Sequence, residues 1–83
     1  SPLRLIMKEI DLFAVRAELR KLVNKDLRVI YYFVDNPVIE IKGTYHLFYD
    51  DLKKVINYCQ RHSLDCYITT TTNNLPVICV GKK

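Results

Sequence analysis

The sequence predicts an α+β fold: a two-layer sandwich with two helices on one face of a mostly antiparallel sheet. Three observations predict it. Two stretches, near residues 12–22 and 52–59, carry apolar residues at helical spacing. Two runs rich in β-branched residues, each followed by a turn containing Asn and Pro, read as hairpins. The two halves of the chain also repeat this order. Eighty-three residues, 49% hydrophobic and 27% charged, fit one folded domain spanning 1–83 rather than a disordered chain. A chain this short buries a small core.

The elements follow in order. Residues 3–8, "LRLIMK", alternate Leu3, Leu5 and Met7, the period of a strand. Asp11 stands where a helix N-cap belongs. Leu12, Val15, Leu19 and Leu22 then recur on one helical face, so a helix is expected over 11–24. Residues 27–34, "LRVIYYFV", suit a strand. Asp35-Asn36-Pro37 supplies turn chemistry, and 38–42, "VIEIK", returns as its partner before Gly43.

The second half begins with a helix over 47–62, carrying Leu52, Val55, Ile56 and Cys59 on one face. Asp50 and Asp51 lie near its start and Arg61 near its end, as the helix dipole prefers. The closing stretch "CYITTTTNNLPVICVGKK" looks like low complexity, but threonine is a strand residue. Cys66, Ile68 and Thr70 are expected to face the core, with Tyr67, Thr69 and Thr71 outward. Asn73-Asn74 tolerates a left-handed turn, and 77–80, "VICV", is the returning strand.

The echo between halves runs from helix end to Leu, strand, Asn turn, Pro-Val-Ile and strand. It pairs "KDLRVIYYFVDNPVIEIKG" with "HSLDCYITTTTNNLPVICVGK", and Leu12-Phe13 with Leu47-Phe48. With a strand at 3–8 the order is ferredoxin-like, βαββαβ plus a C-terminal strand. Without it the order is an αββαββ repeat. That second order resembles BON and ring-building domains over roughly residues 12 to 71, on "VIEIKG" followed by a helix. Those are small modules of envelope and secretion assemblies. The added C-terminal strand and the free cysteines depart from their pattern, and no residue role is carried over.

Composition narrows the function. The longest apolar run, Val29 to Val34, is too short to span a bilayer, and no charged-then-apolar leader opens the sequence. A net charge of +4 favours anionic partners slightly. Cys59, Cys66 and Cys79 are an odd set with no N-x-[ST] site nearby, which points to a reducing, cytoplasmic setting.

No motif names a reaction. Cys59 and His62 stand three apart on one helix with Cys66 beyond, but a structural zinc site needs four ligands. Only Cys79 and His46 remain, and no C-x-x-C pair occurs, so buried thiols are the expectation and no metal or cofactor is assigned. Tyr45-His46 and Asp50-Asp51 are local neighbours rather than a convergent acid–base pair. Gly43 and Gly81 are isolated, so no phosphate cradle forms, and there is no serine elbow. A non-enzymatic chain with no small-molecule substrate is expected.

The outer sheet face is the candidate site. If Val29, Tyr31 and Phe33 pack under the helices, then Arg28, Ile30, Tyr32 and Val34 point away from them. The neighbouring strand adds Val38, Glu40 and Lys42, and a later one Tyr67, Thr69 and Thr71. The first strand would add Arg4, Ile6 and Lys8. This face is too apolar for an idle surface, and Tyr and Arg suit partner anchors. A protein partner or a homodimer is the expected use. The alternative is nucleic acid, with Tyr32 and Tyr67 stacking on bases. Arg16, Arg20, Lys21 and Lys25, with Lys53, Lys54 and Arg61 on the second helix, would then meet phosphates.

Overall fold

The computed structural model describes residues 11–43 and 49–83. The expected strand at 3–8, its contribution of Arg4, Ile6 and Lys8, and the Leu47-Phe48 half of the echo lie outside the described residues. Helix α1 spans Leu12–Leu22, strand β1 Arg28–Tyr32 and strand β2 Val38–Lys42. Helix α2 spans Tyr49–Arg61, strand β3 Leu64–Thr70 and strand β4 Pro76–Lys82. The strands form one sheet in the order β1-β2-β4-β3, antiparallel at every pairing. Among the described residues the fold is α+β, two helices on a four-stranded sheet.

The described order is the αββαββ alternative. A ferredoxin-like sheet seats its first strand beside the strand that becomes β2 here. In this chain β4 occupies that side of β2.

Helix α1 begins where Asp11 accepts a hydrogen bond from the Phe13 N–H at 3.0 Å, the cap its position suggested. It buries Leu12, Val15 and Leu19, and Val23 just beyond it is buried too. Helix α2 buries Asp51, Val55 and Cys59, four residues apart along one stripe. These side chains meet Val29, Ile39, Ile41, Leu64, Ile78 and Val80 in a single core. Full burial of each large aliphatic side chain contributes about 1.5–3 kcal/mol. Both helices therefore cover the same sheet face.

Strand β1 stops at Tyr32, short of the expected residue 34. Phe33 and Val34 begin the loop that leads into Asp35-Asn36-Pro37. Phe33 is 86% exposed and does not pack under a helix; its ring meets Tyr31 edge-on at 5.8 Å. Val34, 59% exposed, lies in the loop and not on the sheet. Strand β3 ends at Thr70, so Thr71 is a turn residue. Ile68 and Thr70 lie on the helix side of β3, yet both are exposed because β3 runs past the helices.

The threonine–asparagine run closes as a hairpin. The Thr71 N–H donates to the Leu75 carbonyl, and the Asn74 N–H to the Thr71 carbonyl, each at 2.9 Å. The Thr71 hydroxyl accepts from the Asn73 and Leu75 N–H groups. Asn74 takes the left-handed conformation, φ 62°, that asparagine accepts more readily than most residues.

The sequence echo has a geometric counterpart. Glu40 pairs with Cys79 at the middle of the sheet, flanked by Val38 with Gly81 and Lys42 with Val77. Pro37-Val38-Ile39 matches Pro76-Val77-Ile78, so a half-turn about the Glu40–Cys79 pair exchanges the two flanking pairs. The hairpins keep equivalent registers under the same operation: Arg28 faces Lys42 as Asp65 faces Gly81, and Tyr32 faces Val38 as Thr69 faces Val77. The sheet thus carries an approximate two-fold axis along its normal.

Candidate binding face

Side chains alternate across a strand, so the pairing register fixes the helix-free face as three rows. One row runs Arg28, Lys42, Val77, Thr69. The middle row runs Ile30, Glu40, Cys79, Tyr67. The third runs Tyr32, Val38, Gly81, Asp65. Of the residues expected on this face, Arg28, Ile30, Tyr32, Val38, Lys42 and Tyr67 stand on it together. Val34 and Thr71 do not, because both strands end before them.

The face mixes apolar and charged groups: Glu40 and Cys79 stand at its middle, with Ile30 and Tyr67 at the two ends of their row. Val77 and Cys79 are 2% and 3% exposed, although they sit on the side away from the core. Ile30 and Val38 are half-buried; Tyr32 and Tyr67 are exposed. The Lys42 ammonium lies 3.7 Å from the Glu40 carboxylate. Tyr67 and Cys79 are cross-strand partners. Burial raises the Cys79 thiol pKa, against the pull of the Tyr67 hydroxyl, and the nearby sulfur in turn raises that of the Tyr67 phenol. At the third row an open hollow of about 570 Å³ lies between the β1–β2 loop and the sheet, bordered by Asp35, Pro37, Asp65 and Tyr67.

The basic residues divide into two groups. Arg16 and Arg20 are half-buried and turned inward. The Arg16 Nε donates to the Val29 carbonyl at 3.3 Å, on the outer strand of the sheet. Arg20 forks across the chain between α1 and β1, donating to the Asn24 carbonyl at 2.7 Å and to the Leu27 carbonyl. Arg16 therefore ties α1 to β1, and Arg20 ties down the segment that joins them. Lys21, Lys25, Lys53, Lys54 and Arg61 are exposed. Lys53 lies 5.3 Å from the centre of the Tyr49 ring.

The expected cysteine–histidine grouping separates. The His62 ring stacks on Tyr58 with centroids 4.2 Å apart. Cys59 and Cys66 instead stand on facing elements, α2 and β3, against the same core. The neighbouring Cys66 thiol, and then burial, raise the Cys59 pKa, while the Cys59 thiol lowers that of Cys66.

Two surface features escaped the sequence reading. Phe13 is 65% exposed and meets Tyr31 edge-on at 6.3 Å, so Phe13, Tyr31 and Phe33 form an aromatic row along the β1 edge. Phe13 stands two residues after the N-cap and lies off the Leu12–Val15–Leu19 stripe, which was the available signal. Phe33 sits next to turn residues, and that signal was outweighed by its place in an apolar run.

No helix among the described residues is long and apolar enough to cross a membrane. In comparisons with known proteins, no family model, no curated sequence and no solved structure matches this chain.

Proposed function

We propose that the chain is a non-enzymatic binding module that acts in protein–protein assembly through the helix-free face of its sheet. A second copy of the chain is the first partner to consider. The observation that carries this reading is the three-row face. It sets Ile30, Tyr32, Val38 and Tyr67 on one surface, beside the buried Val77 and Cys79. Arg28 and Lys42 supply positive charge on the same face, and Glu40 and Asp65 supply negative charge. Both signs of charge let a second copy pair with the face in a suitable register, and tyrosines beside apolar side chains are common interface anchors. Three free thiols fit a reducing compartment such as the cytoplasm.

Nucleic-acid binding is the second reading, resting on exposed Lys21, Lys25, Lys53, Lys54 and Arg61. It has less support, since Arg16 and Arg20 are engaged with backbone carbonyls.

Light scattering over a range of protein and salt concentrations, with and without short DNA and RNA, separates the two. Self-assembly through the face gives a salt-resistant dimer that the double variant Tyr32→Ala, Tyr67→Ala returns to monomer with its circular dichroism unchanged. A monomer that gains mass with nucleic acid, and sheds it as salt rises, overturns the assembly reading.

A further inference from the structure

We propose that Cys59 and Cys66 are a reversible dithiol–disulfide pair, in which Cys66 meets hydrogen peroxide and Cys59 resolves the product. The two residues lie on facing elements. Cys59 is in the last turns of α2, and Cys66 is the third residue of β3. Only His62 and Ser63 separate helix from strand, which keeps the helix end close to the strand start. Ser63 makes that turn with φ 56°. Cys59 belongs to the core cluster, Cys66 packs against it, and neither is in a disulfide.

Their exposures differ in the way the two roles require. Cys59 is 1% exposed and cannot meet a reagent first, whereas Cys66 is partly open. The neighbouring Cys59 thiol favours the thiolate at Cys66, opposed by burial and by the Asp65 carboxylate. Cys79 is excluded as the resolving thiol, because β4 points it to the opposite face of the sheet, toward Tyr67.

The chemistry balances in two steps. The Cys66 thiolate attacks one peroxide oxygen, the O–O bond breaks, and the departing hydroxide takes a proton to become water. Cys66 is then a sulfenic acid. The Cys59 sulfur attacks the Cys66 sulfur, the S–O bond breaks, and hydroxide leaves with the Cys59 proton as a second water. Two thiols lose two electrons and the peroxide gains them. A thiol reductant restores the pair by exchange.

The test is peroxide treatment of the whole reduced chain, followed by intact-mass measurement and peptide mapping under non-reducing conditions. The expected result is a loss of two hydrogens, reversed by dithiothreitol, with one crosslinked peptide joining Cys59 to Cys66 and Cys79 still open to alkylation. In Cys59→Ala the reaction stops at a sulfenic acid on Cys66 that dimedone traps. In Cys66→Ala the mass does not change. Added oxygen in place of the crosslink, a link through Cys79 or between chains, or no reaction overturns the proposal. If either variant fails to fold, the wild-type peptide map still decides, because locating the crosslink needs no substitution.

Discussion

Replacing Asp51 by alanine tests how the two helices are held together. Asp51 is the buried charged side chain of the described structure, 5% exposed in the first turn of α2. Its Oδ1 accepts the Asn24 backbone N–H at 3.0 Å, just past the end of α1. A hydrogen bond to a charged acceptor contributes about 1.5–3 kcal/mol. A carboxylate in the first helical turn adds about 0.3–1 kcal/mol through the helix dipole. Asn24 is exposed, so water can take over its N–H in the variant, which holds the total near 2 kcal/mol. For a domain of this size that lowers the melting temperature by roughly 8–16 °C. Asp51→Asn keeps an acceptor oxygen and costs about half as much. Urea unfolding followed by circular dichroism measures all three proteins, and hydrogen exchange reads the Asn24 amide directly. The reasoning is refuted if Asp51→Ala unfolds within about 0.5 kcal/mol of the parent, or if Asn24 stays protected without the carboxylate.

Four further outcomes are expected. Arg20→Lys retains the charge but cannot fork between the Asn24 and Leu27 carbonyls, and urea titration should show a loss of about 1–2 kcal/mol. Ile39→Ala empties a fully buried site and costs about 2–5 kcal/mol, whereas Phe33→Ala stays within about 0.5 kcal/mol; equal losses would place Phe33 in the core after all. Ser63→Gly relieves a left-handed residue and should raise the unfolding free energy by about 0.5–1 kcal/mol in the same titration. Burial, then the nearby Glu18, raises the Tyr58 phenol above its usual 10.0, so the folded state holds that proton more tightly than the unfolded chain. The stabilisation is complete below pH 10 and lost as pH rises through the folded value, and Tyr58→Phe should flatten the alkaline fall in denaturation midpoint.

Much of the architecture was legible because it rests on local chemistry. Asp11, the Leu12–Val15–Leu19 stripe and the Asn74 turn announce themselves in the sequence, and all three hold. The outer face was legible wherever strand alternation applied, as at Ile30, Tyr32, Val38 and Tyr67. It failed at Val34 and Phe33, where β propensity argued for strand and the approaching Asp35-Asn36-Pro37 turn prevailed. Non-local partners were not legible. Nothing near Arg16 or Arg20 marks them as donors to carbonyls of the following segment, since that depends on how α1 lies against β1. Nor does spacing alone turn His62 toward Tyr58 and leave Cys59 against Cys66. The seating of β4 beside β2 is likewise a matter of global packing, which a helix–strand–strand order leaves open.

A half-turn about the sheet normal carries the backbone of one hairpin onto the other, but it does not carry the charges. Arg28 falls where Asp65 stands, Lys42 where Gly81 stands, and Ile30 where Tyr67 stands. Any object laid on this face has two seatings of nearly equal backbone fit, separated by those side chains together with Tyr32 against Thr69 and Glu40 against Cys79. The choice between them is written along one diagonal, from a positive corner at Arg28 to a negative corner at Asp65. Exchanging those two residues would leave the scaffold as it is and reverse the direction in which the surface is read.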